Sequence, residues 1–134
     1  MYRVSQRIDF CYGHRLLDYQ GKCRHLHGHN GRAIIVLEAG RLDPRGMIVD
    51  FAEIKRAIRT WIESHLDHRM ILCRRDPVVD ALQKLNEPLL VMEENPTAEN
   101  IAKMIYDRVK EMGFPVVEVS LWETPSSCAT FRER

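Results

Sequence analysis

The sequence predicts an α+β domain: an antiparallel sheet of four strands carrying two helices on one face, in the order β-β-α-α-β-β. Three observations support it. Apolar residues alternate with polar ones near both ends of the chain, the period of a half-buried strand. Two central stretches repeat apolar residues every three or four positions, the period of an amphipathic helix. Turn and cap signals separate these stretches, and no repeat or composition break marks a second domain, so 1–134 reads as one unit.

The first strand covers residues 2–14. Tyr2, Val4, Ile8, Phe10 and Tyr12 take even positions, and Arg3, Ser5, Arg7 and Asp9 take odd ones. His14 continues the inward parity at the strand end. Asp18, Gly21 and Lys22 mark 15–24 as a loop, and 25–39 form a second strand with Ala33-Ile34-Ile35-Val36-Leu37 as its apolar body. Pairing the two strands antiparallel would bring His14 close to His27 and His29.

Asp43-Pro44-Arg45-Gly46 is a turn, and Asp50 with Glu53 resembles a capping box opening the first long helix. Phe51, Ile54, Ile58, Trp61, Ile62 and Leu66 form its buried stripe. It ends near Asp67-His68, which reads either as a helix-end acid and histidine or as a couple in which the carboxylate sets the imidazole's tautomer. Residues 73–95 are irregular, with a short helix from Pro77 to Leu85 and a short strand at 89–92. Asn95-Pro96-Thr97 opens the second long helix, whose stripe is Ile101, Met104, Ile105, Val109 and Met112; Gly113 and Pro115 end it. In the strand at 116–123, Val117, Val119, Leu121 and Glu123 share a face. An acid closing an apolar face needs a partner, either an ion pair or a ligand with adjacent N–H donors. A last strand is expected at 128–132.

The chemistry concentrates in Cys23-Arg24-His25-Leu26-His27-Gly28-His29. In an extended chain His25, His27 and His29 point the same way, and neighbouring imidazoles on one face can grip a divalent transition metal. His14 is a candidate third ligand. Cys23 is either a further ligand or a reactive group held near the metal. The four cysteines form no Cys-x-x-Cys pair, so free thiols in a reducing cytoplasm are expected. A net charge of +1 offers no electrostatic case for nucleic acid or an anionic membrane. No apolar run reaches the length of a membrane span.

With Phe10-x-x-x-His14, Cys23-x-x-x-His27-Gly28-His29, Asp50-Phe51, Leu66-Asp67-His68, Asn95-Pro96-Thr97 and Trp122-Glu123-Thr124 in order, the chain resembles the 6-pyruvoyltetrahydropterin synthase family. The closer likeness is to its queuosine-biosynthesis branch. The resemblance implies a tunnelling fold (T-fold) assembled as trimers or hexamers with active sites between subunits. It implies zinc held by His14, His27 and His29, and Cys23, Asp67 and His68 as the catalytic set. Glu123 would anchor the pterin ring, with Thr97 adding a contact. The implied reaction converts 7,8-dihydroneopterin triphosphate to 6-carboxy-5,6,7,8-tetrahydropterin, releasing acetaldehyde and triphosphate. A 6-pyruvoyl-forming synthase, a related side-chain lyase and a non-catalytic zinc module are the alternatives. Three features depart from the family pattern: Cys11-Tyr12-Gly13 ahead of His14, Asn30-Gly31 where an aromatic often stands, and a long 73–94 segment.

Overall fold

A computed structural model describes all of residues 1–134. Strand β1 (Tyr2–His14) buries Ile8, Phe10, Tyr12 and His14, as its alternation requires. It pairs antiparallel with β2 (His27–Ala39) without a slip, from Tyr2 opposite Ala39 to His14 opposite His27. The second strand therefore starts two residues later than expected, and His25 lies outside it.

Helix α1 spans residues 51–65. Asp50 caps it by accepting a hydrogen bond from the Ala52 N–H at 2.9 Å. Its buried residues Ile54, Ile58 and Ile62, and Leu66 just past its end, fall at every fourth position. At 100° per residue such a row drifts by about 40° per step; the wider π turn at Lys55–Arg59 takes up that drift and keeps the row on the core. Phe51, expected on this stripe, is exposed at the first position of the helix, and Trp61 is half-buried at the core margin.

Strand β3 (Arg69–Cys73) follows directly, then α2 (Val78–Lys84) and β4 (Leu89–Met92). Helix α3 (Ala98–Glu111) buries Ile101, Ala102, Ile105, Tyr106 and Val109. Its end is followed by Gly113 at φ +93°, a left-handed conformation that favours glycine. Strands β5 (Val116–Thr124) and β6 (Ser127–Phe131) complete the chain.

The sheet has six strands in the order β4-β3-β1-β2-β5-β6, where a sheet of four was expected: the short strand read at 89–92 is β4 and joins the sheet, and β3 was not foreseen. The four antiparallel strands read from the sequence are contiguous. The additional β3 and β4 run parallel on the free edge of β1. Strand β3 escapes a periodicity search because Ile71, Leu72 and Cys73 are all fully buried, so nothing alternates. In β5, Glu118 pairs with Val36 and Val116 with Leu37, leaving Val117 as the extra residue of a bulge. Val116 takes the core position expected for Val117. No helix is long and apolar enough to cross a membrane.

Candidate active site and metal centre

The pairing of β1 with β2 places the last residue of one strand, His14, opposite the first of the other, His27. His29 lies two residues on, on the same face. One ligand nitrogen from each of the three lies within 4.8 Å of the others, and the ring centroids are 4.6, 5.0 and 5.1 Å apart. His25 is outside this group. It closes a 3-10 turn, where its carbonyl rather than its ring serves the site.

The protonation pattern follows from the backbone. The Pro96 carbonyl lies 2.7 Å from His14 Nδ1, and the His25 carbonyl lies 2.7 Å from His27 Nδ1. A carbonyl only accepts, so each Nδ1 carries a proton, and in the neutral ring it is Nε2 that presents the lone pair. Both of those Nε2 atoms are buried with no hydrogen-bond partner. Such orphaned atoms are costly, and a shared cation removes the cost. Burial also pushes the pKa of His14 and His29 below the ordinary imidazole value. Neighbouring histidines add to this, and the combined effect outweighs the opposing pull of the Pro96 carbonyl on His14 and of Glu123 on both rings. The imidazoles of His14 and His27, oriented in this way, together with that of His29 fit a divalent transition metal such as zinc, and three ligands leave a coordination position open.

Glu123 reaches the same spot. Trp122 pairs with Cys128 and Thr124 with Ser127, so Glu123 falls in an irregularity between β5 and β6. Its Oε2 lies 3.4 Å from His14 Nε2 and 3.6 Å from His29 Nε2. With both rings neutral these contacts are not ion pairs. The Tyr12 hydroxyl donates to the same oxygen at 3.3 Å. Burial, and then the charge of Glu123, push the Tyr12 phenol up, so it keeps its proton and remains a donor.

Asn95-Pro96-Thr97 does more than start a helix. Thr97 Oγ1 accepts from the Asn100 N–H at 3.1 Å and caps α3. Pro96 supplies the carbonyl that orients His14. Asn95 accepts from the Leu17 N–H at 2.9 Å and donates to the Leu17 carbonyl at 3.1 Å, pinning the loop after β1. Cys23 belongs to that loop: it is half-buried in the turn Lys22–Arg24, and its carbonyl accepts from the Leu16 N–H at 2.8 Å. The roles of Asn95 and Pro96 were missed from sequence. Their partners lie 78 and 82 residues away, and the only local signal is a polar residue before a proline.

Asp67 and His68 are not with the triad. Asp67 Oδ2 meets His68 Nδ1 at 2.9 Å, and Asp67 Oδ1 accepts from the Cys11 N–H at 2.9 Å. Burial works against the Asp67 charge, but the Cys11 N–H and His68 hold its carboxyl below the ordinary range. His68 donates its own N–H to the Cys11 carbonyl and sits at φ +58°, a strained conformation for a non-glycine residue. Its side chain is largely exposed. Asp67 lines a cleft of about 590 Å³ with the outward-facing Asp9, Cys11, Asn30 and Arg32. Asp67 thus opens on the sheet face opposite the three histidines, and His68 lines a second cleft with Cys11, Gly13, Gly28 and Met70 that reaches the strand-end residue His27.

A family model described as 6-pyruvoyl tetrahydropterin synthase matches residues 3–134. A Rickettsia conorii protein named 6-carboxy-5,6,7,8-tetrahydropterin synthase is 34% identical over 133 residues, covering 94% of this chain and 96% of the relative. A Haemophilus influenzae protein of the same name is 31% identical over 142 residues, covering 99% and 100%. Among solved structures, an uncharacterized protein from Wolinella succinogenes has a TM-score of 0.83 at 28% identity, covering 99% of this chain and 98% of its own. The 6-pyruvoyl tetrahydropterin synthase of Caenorhabditis elegans has a TM-score of 0.73 at 22% identity, covering 99% and 96%, a likeness of fold. The chain is thus a T-fold protein and an enzyme of the lyase class. It belongs to the 6-pyruvoyl tetrahydropterin synthase family.

Proposed function

We propose that this enzyme is a zinc-dependent pterin side-chain lyase. It converts 7,8-dihydroneopterin triphosphate to 6-carboxy-5,6,7,8-tetrahydropterin with release of acetaldehyde and triphosphate, a step toward queuosine and related 7-deazapurines in the cytoplasm. The observation that carries this reading is the pair of buried, orphaned Nε2 atoms on His14 and His27, each oriented by a backbone carbonyl. The names of the curated relatives supply the product.

His14, His27 and His29 hold the zinc, which supplies Lewis acidity to the substrate's side-chain hydroxyls and the neighbouring C–H groups. Cys23 removes a proton from the side chain. His68 moves the second proton, with Asp67 holding its Nδ1–H and so presenting Nε2 as the acceptor. Glu123 accepts from the adjacent N–H donors of the pterin ring. Thr97 keeps its O–H proton for the ring while its oxygen caps α3. Asp67 opens away from the triad of its own chain, which favours a homo-oligomer, a trimer or hexamer, in which a second copy completes each site.

The test is mass-spectrometric product analysis with dihydroneopterin triphosphate, using native, metal-stripped and Cys23→Ala protein. The expected result is 6-carboxytetrahydropterin and acetaldehyde from native protein only. A 6-pyruvoyl product would assign the chain to the sister activity. No turnover by folded, zinc-loaded protein would overturn the reaction.

A further inference from the structure

Tyr12 is a large side chain with almost no exposed surface, and it lies at the edge of the metal pocket. Its ring centroid is 5.3 Å from that of His14 and 5.6 Å from that of His29. Its hydroxyl is the only donor in the chain that reaches the Glu123 carboxylate, and it takes Oε2, the oxygen facing the two imidazoles. His14 cannot compete as a donor, because its ring proton is committed to Pro96. The ring has room because residue 31 is glycine: a Cβ there would stand 2.7 Å from Tyr12 Cε1, closer than real side chains approach.

We propose that Tyr12 is a positioning residue that acts through Glu123. Its hydroxyl holds the carboxylate for the pterin ring and keeps Oε2 from closing the open metal position, and Gly31 provides the space this requires. The first half rests on the pterin reading above; the second concerns the metal alone.

Tyr12→Phe keeps the ring and removes the donor. The hydrogen bond to a charged acceptor that it forfeits corresponds to about tenfold or more. KM for dihydroneopterin triphosphate is expected to rise about tenfold, with kcat changing much less. Zinc affinity, measured by chelator competition, is expected to tighten about tenfold as Oε2 is released toward the metal. In a Glu123→Gln background, Tyr12→Phe should change neither value. Gly31→Ala, which forces the ring aside, should reproduce both effects while leaving Tyr12 in the sequence. A purely space-filling tyrosine would show none of this dependence on Glu123. Unchanged zinc affinity and unchanged KM in Tyr12→Phe would overturn the proposal. Should native protein bind no pterin at all, the reaction fails and zinc affinity alone decides: tightening that depends on Glu123 upholds Tyr12's role, and an unchanged value refutes it.

Discussion

Breaking the Arg15–Asp76 pair offers a quantitative test of what holds the loop after β1. Arg15 follows directly on His14, and its guanidinium binds the Asp76 carboxylate with both of its prongs, Nε to Oδ2 at 2.7 Å and NH2 to Oδ1. Asp76 has no exposed side-chain surface, whereas about a quarter of Arg15's is exposed. Burial disfavours the Asp76 charge, but Arg15 and the Val78 N–H outweigh it and hold the carboxyl below its ordinary value. In native protein this stabilisation is therefore present above the unfolded carboxyl pKa and is lost as pH falls through the lower folded value. Arg15→Met removes the cation and leaves a buried carboxylate with one remaining donor. Breaking a buried pair costs about 3–5 kcal/mol, and the partial exposure of Arg15 places the expected loss near the lower end, about 3 kcal/mol at pH 7. The folded pKa of Asp76 then lies above the unfolded one, so the penalty grows with pH between the two and fades once both states are protonated. Urea unfolding followed by tryptophan fluorescence, at fixed protein concentration, should show the full loss at pH 7 and a smaller one at pH 3, where the unfolded carboxyl is largely protonated. Comparing variant and native protein at each pH cancels the titration of the histidines. A loss below about 1 kcal/mol at pH 7, or one that is the same at both pH values, would refute the reasoning.

Other outcomes follow from the same geometry. His14→Ala and His27→Ala should each lose bound zinc by elemental analysis while remaining folded by circular dichroism, since each removes one ligand and one orphaned nitrogen; full zinc occupancy in either would move the metal elsewhere. Thr97→Ala should cost about 1 kcal/mol through the lost α3 cap, and Thr97→Ser should restore it; unchanged stability in Thr97→Ala would show that the cap carries little. Co-expressing Cys23→Ala with His68→Ala should recover up to about a quarter of native activity if neighbouring copies share each site, because random pairing leaves that fraction of sites intact. Activity no higher than that of either variant alone would place the whole set within one chain. Cys11→Ala should keep both zinc and turnover, as Cys11 meets the Asp67–His68 couple through its backbone; retained zinc with abolished turnover would give its thiol a chemical role.

Much of the site was legible because strand periodicity is local. Ile8, Phe10, Tyr12 and His14 face the core as their parity dictates, so His14 could be placed beside His27 and His29 once the two strands were paired. The helix stripes were equally readable, apart from Phe51 at the end of α1 and the half-buried Met104 and Met112 in α3. Parity failed where geometry breaks it. The bulge at Val117 exchanges it for Val116, and the 3-10 turn before β2 removes His25 from the ligand face. The departures at Tyr12 and Gly31 look separate in the sequence and prove to be a single cross-strand contact.

By itself, the sequence determined which residue types are present and which face of its own element most of them take: His14 on the inward face of the first strand, His27 and His29 sharing a face of the second, an acid ending an apolar strand, two amphipathic helices and the four antiparallel strands. These depend on neighbours within a turn or a pleat, where side-chain direction follows from backbone geometry alone. Only the tertiary structure decided the rest. It set the Pro96 carbonyl on His14, the Asn95 clamp on the Cys23 loop, the Tyr12 hydroxyl on Glu123, and the carboxylate of the Asp67–His68 couple on the opposite face of the sheet. Each of these joins groups far apart in the chain, the couple through the bond from the Cys11 N–H to Asp67, by way of a bulge, a tautomer or a turn. No local period encodes such contacts, because they exist only once the sheet and α3 have packed.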